Sequence, residues 1–265
     1  PGLPTGFSML DHYIGGLNKS DLILLGARPG MGKTAIALNM ALSAARKSNK
    51  TVVIFQLEMS RSQLATRLLS AAGFIDSKKL RMGNLTDDDW QKMAEATEDL
   101  QRMSIMIDEN SGITVPEMKA KCRRLGDQLG LIVIDYLQLC TCREAARHGS
   151  RQIEVSMISQ QIKAMAKELM IPVIVLSQLS RANEQRGDKF ERPKLSDLRD
   201  SGAIEQDADV VFLLRRPSRN AADPESNDEQ LAIIDVAKNR NGETGEVRVN
   251  FVREFTRFFD REIPR

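Results

Sequence analysis

Cysteine is scarce in this chain: Cys122, Cys140 and Cys142 are the three among 265 residues. They are too few and too unevenly placed to staple a secreted scaffold, which points to a reducing, cytoplasmic setting. Histidine is scarcer still, with only His12 and His148, so the Cys140-Thr141-Cys142 pair lacks partners for the four-ligand shell of structural zinc. No apolar run approaches the ~18 residues a membrane span needs, and Pro1-Gly2-Leu3-Pro4 has none of the marks of a signal peptide. That start reads as the end of a linker, with the expectation that another domain precedes it. Charge of one sign is missing as well: 38 basic residues stand against 36 acidic ones, a net charge of +2. This excludes a polybasic tail or a cationic coat, and leaves a locally basic groove open.

What is present is an alternation. Short β-branched and leucine-rich runs, Leu22–Leu25, Val52–Phe55, Ile105–Ile107, Leu131–Ile134, Val173–Leu176 and Val210–Leu214, take turns with helical patterns at Lys33–Lys47, Ser62–Ala72, Asp87–Arg102, Pro116–Gln128 and Ser150–Leu169. Strands that alternate with helices predict βαβ units, hence an α/β fold with a mostly parallel twisted sheet and helices on both faces. Thr114-Val115-Pro116-Glu117 combines a capping box with proline at the first helical position, fixing one helix start. After Leu214 the pattern changes, and Leu231–Val236, Glu246–Phe251 and Thr256–Phe259 predict an antiparallel edge near the C-terminus. Thr141–Ser150, Ser180–Asp200 and Pro217–Glu229 lack periodicity and read as loops, the first two on one rim of the sheet.

The most informative stretch runs from Leu22 to Thr34. A strand leads into Gly26-Ala27-Arg28-Pro29-Gly30-Met31-Gly32-Lys33-Thr34, which opens a helix. That is the context of a phosphate-binding loop, in which backbone N–H groups and the positive end of the helix face a triphosphate. Lys33 then sits on the outer phosphates of ATP and Thr34 on Mg²⁺. Ala27 stands where the strict pattern has glycine, which requires a backbone angle that alanine permits there. Asp135 ends an apolar run and is placed to reach the metal through its water shell. Tyr136 follows it, so a base for the attacking water has to come from another strand. Glu58, after Val52–Phe55, fits that role, or else lies near the positive end of the next helix. Gln178, at the end of Val173–Leu176, is either a sensor of the terminal phosphate or an ordinary polar loop residue.

Several of these stretches together resemble one family. Thr5-Gly6-Phe7, Gly15-Gly16-Leu17, the phosphate loop, Leu57-Glu58-Met59-Ser60, Ile134-Asp135-Tyr136-Leu137-Gln138, Ser177-Gln178-Leu179-Ser180-Arg181 and Asp197-Leu198-Arg199-Asp200-Ser201-Gly202 are similar to the RecA-like motor domain of DnaB-type replicative DNA helicases, which shares the alanine at Ala27. The resemblance covers nearly the whole chain and implies a single ATPase motor domain over 1–265, with 1–20 as linker and entry helix. It implies a homo-hexameric ring that hydrolyses ATP at subunit interfaces while moving on single-stranded DNA. The family's helical amino-terminal domain has no counterpart in these residues, so contacts with primase and a helicase loader are expected through regions outside this chain.

The same resemblance assigns Lys238 and Arg240 as cations reaching a neighbour's phosphates; by themselves, beside Asn241-Gly242, they read as a solvated hairpin end. It adds Arg67 near the nucleotide, and Arg199, Asp200 and Gly202 as a turn that holds DNA phosphates without reading sequence. In 180–200, Phe190 is the lone aromatic, so a base-stacking platform is unsupported. Arg143, Arg147 and Arg151 are secondary DNA candidates. Two other readings share the phosphate loop: a recombinase-like or clock-type RecA-like ATPase, and a scaffold that assembles on ATP without turning it over.

Overall fold

The computed structural model describes residues 1–140, 142, 145, 147, 149–179 and 192–261, with the backbone alone described at 139 and 199–201. Among them, nine strands form one sheet in the order β3-β2-β4-β5-β1-β6-β7-β8-β9. The strands are β1 Leu22–Ala27, β2 Thr51–Gln56, β3 Ile105–Asp108, β4 Leu129–Asp135, β5 Val173–Gln178, β6 Val210–Arg215, β7 Leu231–Asn239, β8 Gly245–Val252 and β9 Arg257–Asp260. Pairing is parallel from β3 through β6 and antiparallel from β6 to β9. This is the α/β architecture expected of a RecA-like ATPase.

The strand sequences are unbroken apolar runs because both faces of the sheet are covered. One face carries Ile23, Leu25, Val52, Ile54, Phe212 and Leu214 against α2 (Lys33–Ser48) and α3 (Arg61–Gly73). The other carries Leu22, Leu24, Val53, Phe55, Ile132 and Leu213 against α6 (Val115–Arg123) and α7 (Arg151–Leu169). In α2, Ile36 and Met40 are fully buried, and truncating either to alanine costs about 2–5 kcal/mol. The entry segment forms α1 (Ser8–Ile14), closed by Gly15 in the left-handed region and flanked by a bridge between Leu3 and Leu17. Helix α5 (Asp87–Arg102) starts at a capping box of Thr86 and Asp89.

Three local readings change. The helix expected over Pro116–Gln128 stops at Arg123 and resumes as a 3₁₀ turn at Gly126–Gln128, because Gly126 takes φ +51°. The last strand starts at Arg257 instead of Thr256, whose φ of 48° breaks the extended run. In the segment read as a loop to Asp200, Leu195–Ser201 forms a 3₁₀ turn leading into α8 (Gly202–Asp207), driven by burial of Leu198 and Ile204. Helix α4 (Ser77–Met82), capped by Asp76, buries none of its residues, so no apolar period announces it. Most of 141–148 and all of 180–191 lie outside the described residues.

Candidate active site

Strand β1 delivers Ala27 to the carboxyl rim, paired with Gln178 on one side and Leu214 on the other. Alanine is accommodated there because the residue is still strand, and the left-handed conformations fall on Gly30 (φ 77°) and Gly32 (φ 99°). A Cβ on Gly32 would stand 2.9 Å from Phe258 Cζ. The Arg28-Pro29-Gly30-Met31 turn then feeds α2, whose first residues are Lys33 and Thr34.

Asp135, at the end of β4, is 1% exposed and anchors the floor. Its Oδ2 accepts from the Thr34 hydroxyl at 2.8 Å and from Gln56 Nε2 at 2.8 Å. Its Oδ1 is buried without a hydrogen-bond donor and faces Lys33 Nζ at 3.6 Å. An orphaned carboxylate oxygen beside a hydroxyl is a hard-oxygen pair whose chemistry fits Mg²⁺. Lys33 Nζ also lies 4.1 Å above the Tyr136 ring. The Tyr136 hydroxyl is held above its ordinary value by burial, and secondarily by the negative charges of Glu58 and Asp135.

Glu58 stands exposed on the wall of a cleft of about 450 Å³ that also includes the phosphate loop, Arg67 and Gln178. The alternative of Glu58 serving the next helix loses its basis. The start of α3 is served by the reciprocal Ser60–Gln63 capping box, and Glu109 accepts from the Arg61 N–H at 2.5 Å. Gln56, unassigned from sequence, sets the Glu58 turn, because its Oε1 accepts from the N–H groups of Glu58 at 3.0 Å and Met59 at 3.1 Å. One amide therefore ties the Asp135 carboxylate to the turn that carries Glu58. Gln138 plays a similar part for β5, donating to Ser177 Oγ and to the Gln178 carbonyl at 3.1 Å each. The signal for Gln56 was an amide closing an otherwise apolar strand. Arg216, Phe251 and Thr256, which complete the cleft wall, follow or lie in strands remote in sequence and gave no local signal.

Lys238 and Arg240 are elsewhere. Strand β7 runs antiparallel to β6, so Lys238 lies beside Val211 and Asn239 beside Val210, at the end of β6 opposite the cleft. From Asp209 to Leu214 is about 16 Å at ~3.3 Å per residue. Lys238 Nζ donates to the Glu205 carbonyl at 2.7 Å, and Arg240 donates to Asp209 Oδ1 at 2.9 Å and to the Gln206 carbonyl at 3.1 Å. Burial, and then the Arg240 charge, lower the Lys238 pKa. Asp209 is also held by Lys163 at 2.5 Å and by the Leu22 N–H at 2.8 Å.

Among the DNA candidates, Gly202 opens α8 with no atom near a would-be Cβ, and the side chains of Arg199 and Asp200 are outside the described residues. Arg151 is engaged internally, donating to the Cys140 carbonyl at 3.3 Å and to Glu154 at 2.7 Å. Arg147 is exposed. Arg143, Arg181, Arg186 and Lys189 lie outside the described residues.

Comparison with known proteins agrees with this geometry. The sequence profile of the DnaB-like helicase C-terminal domain matches residues 2–260. The chain is 48% identical to the replicative DNA helicase DnaC of Bacillus subtilis over 263 residues, covering 98% of this chain and 57% of that protein. It is also 48% identical to the replicative DNA helicase DnaB of Geobacillus stearothermophilus, again over 57% of that protein. The chain thus spans little more than half the length of these relatives. Among solved structures, a DnaB-like replicative helicase studied for its interactions with primase superposes with TM-score 0.91 at 36% identity, covering 99% of this chain and 62% of that one. A second solved structure, of an ATPase domain, gives TM-score 0.91 at 37% identity, covering 99% of this chain and 92% of that one.

Proposed function

The chain belongs to the family of DnaB-like helicase C-terminal domains, and from that membership we propose that it is the ATP-hydrolysing motor of a replicative DNA helicase. In this reading it acts as a homo-hexamer that translocates on single-stranded DNA and unwinds duplex. Primase and loader contacts are made through regions outside this chain.

Each residue has a task set by its place. The N–H groups of the Arg28–Gly32 turn cradle the phosphates, and Lys33 neutralises the outer ones. Mg²⁺ would supply positive charge that offsets the charge developing on the transferred phosphoryl group. Thr34 and Asp135 would hold it, and Gln56 fixes that carboxylate. Glu58 orients and deprotonates the attacking water. Gln178, the last residue of the strand that pairs with β1, senses the terminal phosphate and passes its state to the following loop.

The observation that carries this reading is the split of the catalytic set. Glu58, Lys33, Thr34, Asp135 and Gln178 share one rim, while Lys238 and Arg240 sit at the opposite end of the sheet, beyond reach of their own phosphate loop. Cations so placed serve a neighbouring subunit, where a guanidinium in the transition state is worth roughly 10³–10⁵ in rate in related NTPases.

Two measurements test it. Hydrolysis is expected to rise with single-stranded DNA, and a forked duplex with a 5′ tail is expected to be unwound, which a recombinase-like ATPase or a non-hydrolysing scaffold would not do. Glu58→Gln and Arg240→Ala proteins are each expected to be inactive alone, yet to recover activity when mixed, since the mixed interface joins an intact cleft to an intact finger. Full activity of Arg240→Ala alone would remove the interface assignment.

A further inference from the structure

Arg216 presents an imbalance that the catalytic set does not explain. It directly follows Arg215, the last residue of β6, is 9% exposed, and lines the cleft, yet its Nε is buried with no hydrogen-bond acceptor among the described residues. Its guanidinium carbon lies over the Phe251 ring, 4.2 Å from the centroid. Burial depresses its pKa, and the charges of Arg219 and Arg253 depress it further, with no carboxylate opposing them. Arg28, on the phosphate loop, likewise has buried Nε and Nη2 atoms without acceptors. A cation taken from water among other cations is costly unless an anion completes the site.

The topology indicates where a complementary anion would lie. In the sheet order, β2, β4 and β5 lie on one side of β1, and β6, β7 and β8 on the other. Glu58 and Gln178 come from the first side and face the phosphate that is cleaved. Arg216 and Phe251 come from the second side, and Phe251 stands 3.8 Å from a would-be Cβ on Gly32, against the start of α2. We propose that Arg216, held in plane by Phe251, binds the nucleoside-proximal phosphate of the nucleotide, a group that ATP and ADP share. This rests on the nucleotide reading of the cleft. Guanidinium is the suitable group, because its planar fork makes paired bonds to phosphate oxygens and stacks on an aromatic face. Without an anion the buried Arg216 Nε has no acceptor among the described residues, so the site would hold a functional residue at the expense of stability.

The test is Mg-ADP and Mg-ATP titration of the full chain, with thermal melting of the nucleotide-free protein, for wild type, Arg216→Met and Lys33→Ala. Arg216→Met is expected to weaken ADP and ATP alike, by about ten-fold or more, with the loss appearing in KM rather than kcat. The nucleotide-free variant is expected to melt no lower than wild type, because it loses an unpaired charge. Unchanged ADP affinity overturns the proposal, as does a loss confined to ATP, which would place the contact on the terminal phosphate. Weaker binding with a lower melting temperature overturns it too, since the side chain would then be a structural prop. Arg216→Gln replaces Arg216→Met if the latter does not fold. If Lys33→Ala weakens ADP binding and Arg216→Met does not, this inference alone falls; if Lys33→Ala binds ADP as wild type does, the nucleotide reading of the cleft falls with it.

Discussion

Burial decides what individual side chains do here. The thiols of Cys122 and Cys140 are each pushed up to about 12 from an ordinary 9.0, with desolvation the leading cause. At pH 8 roughly 10⁻⁴ of each is thiolate, the form that reacts. Native protein is therefore expected to resist iodoacetamide at both positions, and protein unfolded in guanidinium to be alkylated fully, as read by peptide mass. The sign of the pH effect follows from linkage. Unfolded thiols ionise near 9 and the folded ones near 12, so above pH 9 the unfolded chain holds fewer protons, and stability falls as pH rises through that window. A denaturation series from about pH 8 to 11 checks this against Cys140→Ala, which should show a shallower decline. The placement of Lys33, Thr34 and Asp135 beside one another was legible residue by residue because it follows from local spacing at the ends of strands. Gln56 and Arg216 were not, because each acquires its role from partners brought in by other strands.

At the scale of elements, two glycines separate conformation from space. Gly32 combines φ 99° with a Cβ position 2.9 Å from Phe258, so Gly32→Ala meets both a left-handed backbone and a filled site. It is expected to lose about 1–3 kcal/mol of stability and most nucleotide affinity. Gly202 starts α8 with φ −56° and open space around it, so Gly202→Ala is expected to stay within about 0.5 kcal/mol of wild type. Chemical denaturation of both distinguishes the cases. The parallel strands were readable because strands buried on both faces must be continuously apolar. The 3₁₀ turn at Leu195–Ser201 and helices α4 and α8 were missed because six or seven residues are too short to show a period.

For the molecule as a whole, Lys238 and Arg240 are separated from the cleft, and under the proposed function that separation would link hydrolysis to assembly. Helix α8 lies between the Leu195–Ser201 turn and those two cations, with its carbonyls at Glu205 and Gln206 accepting from them. Binding along a ring of such turns would be electrostatic, so Arg199→Ala is expected to weaken single-stranded DNA binding equally across sequences. It should also reduce the salt slope by about 0.7. Affinity measured on several oligonucleotides over a range of salt checks this, and a sequence-selective defect would contradict phosphate tracking. The amino-acid sequence by itself determined the alternation of strands and helices, the phosphate loop and the carboxylates that end apolar runs, because hydrophobic period and local turn chemistry act between near neighbours. Tertiary structure alone decided that Gln56 joins Asp135 to the Glu58 turn, that Arg216 is buried beside the cleft with its Nε lacking an acceptor among the described residues, and that Arg240 sits at the end of the sheet opposite the phosphate loop. These depend on strand order and direction, which are set by how the whole sheet buries its two faces.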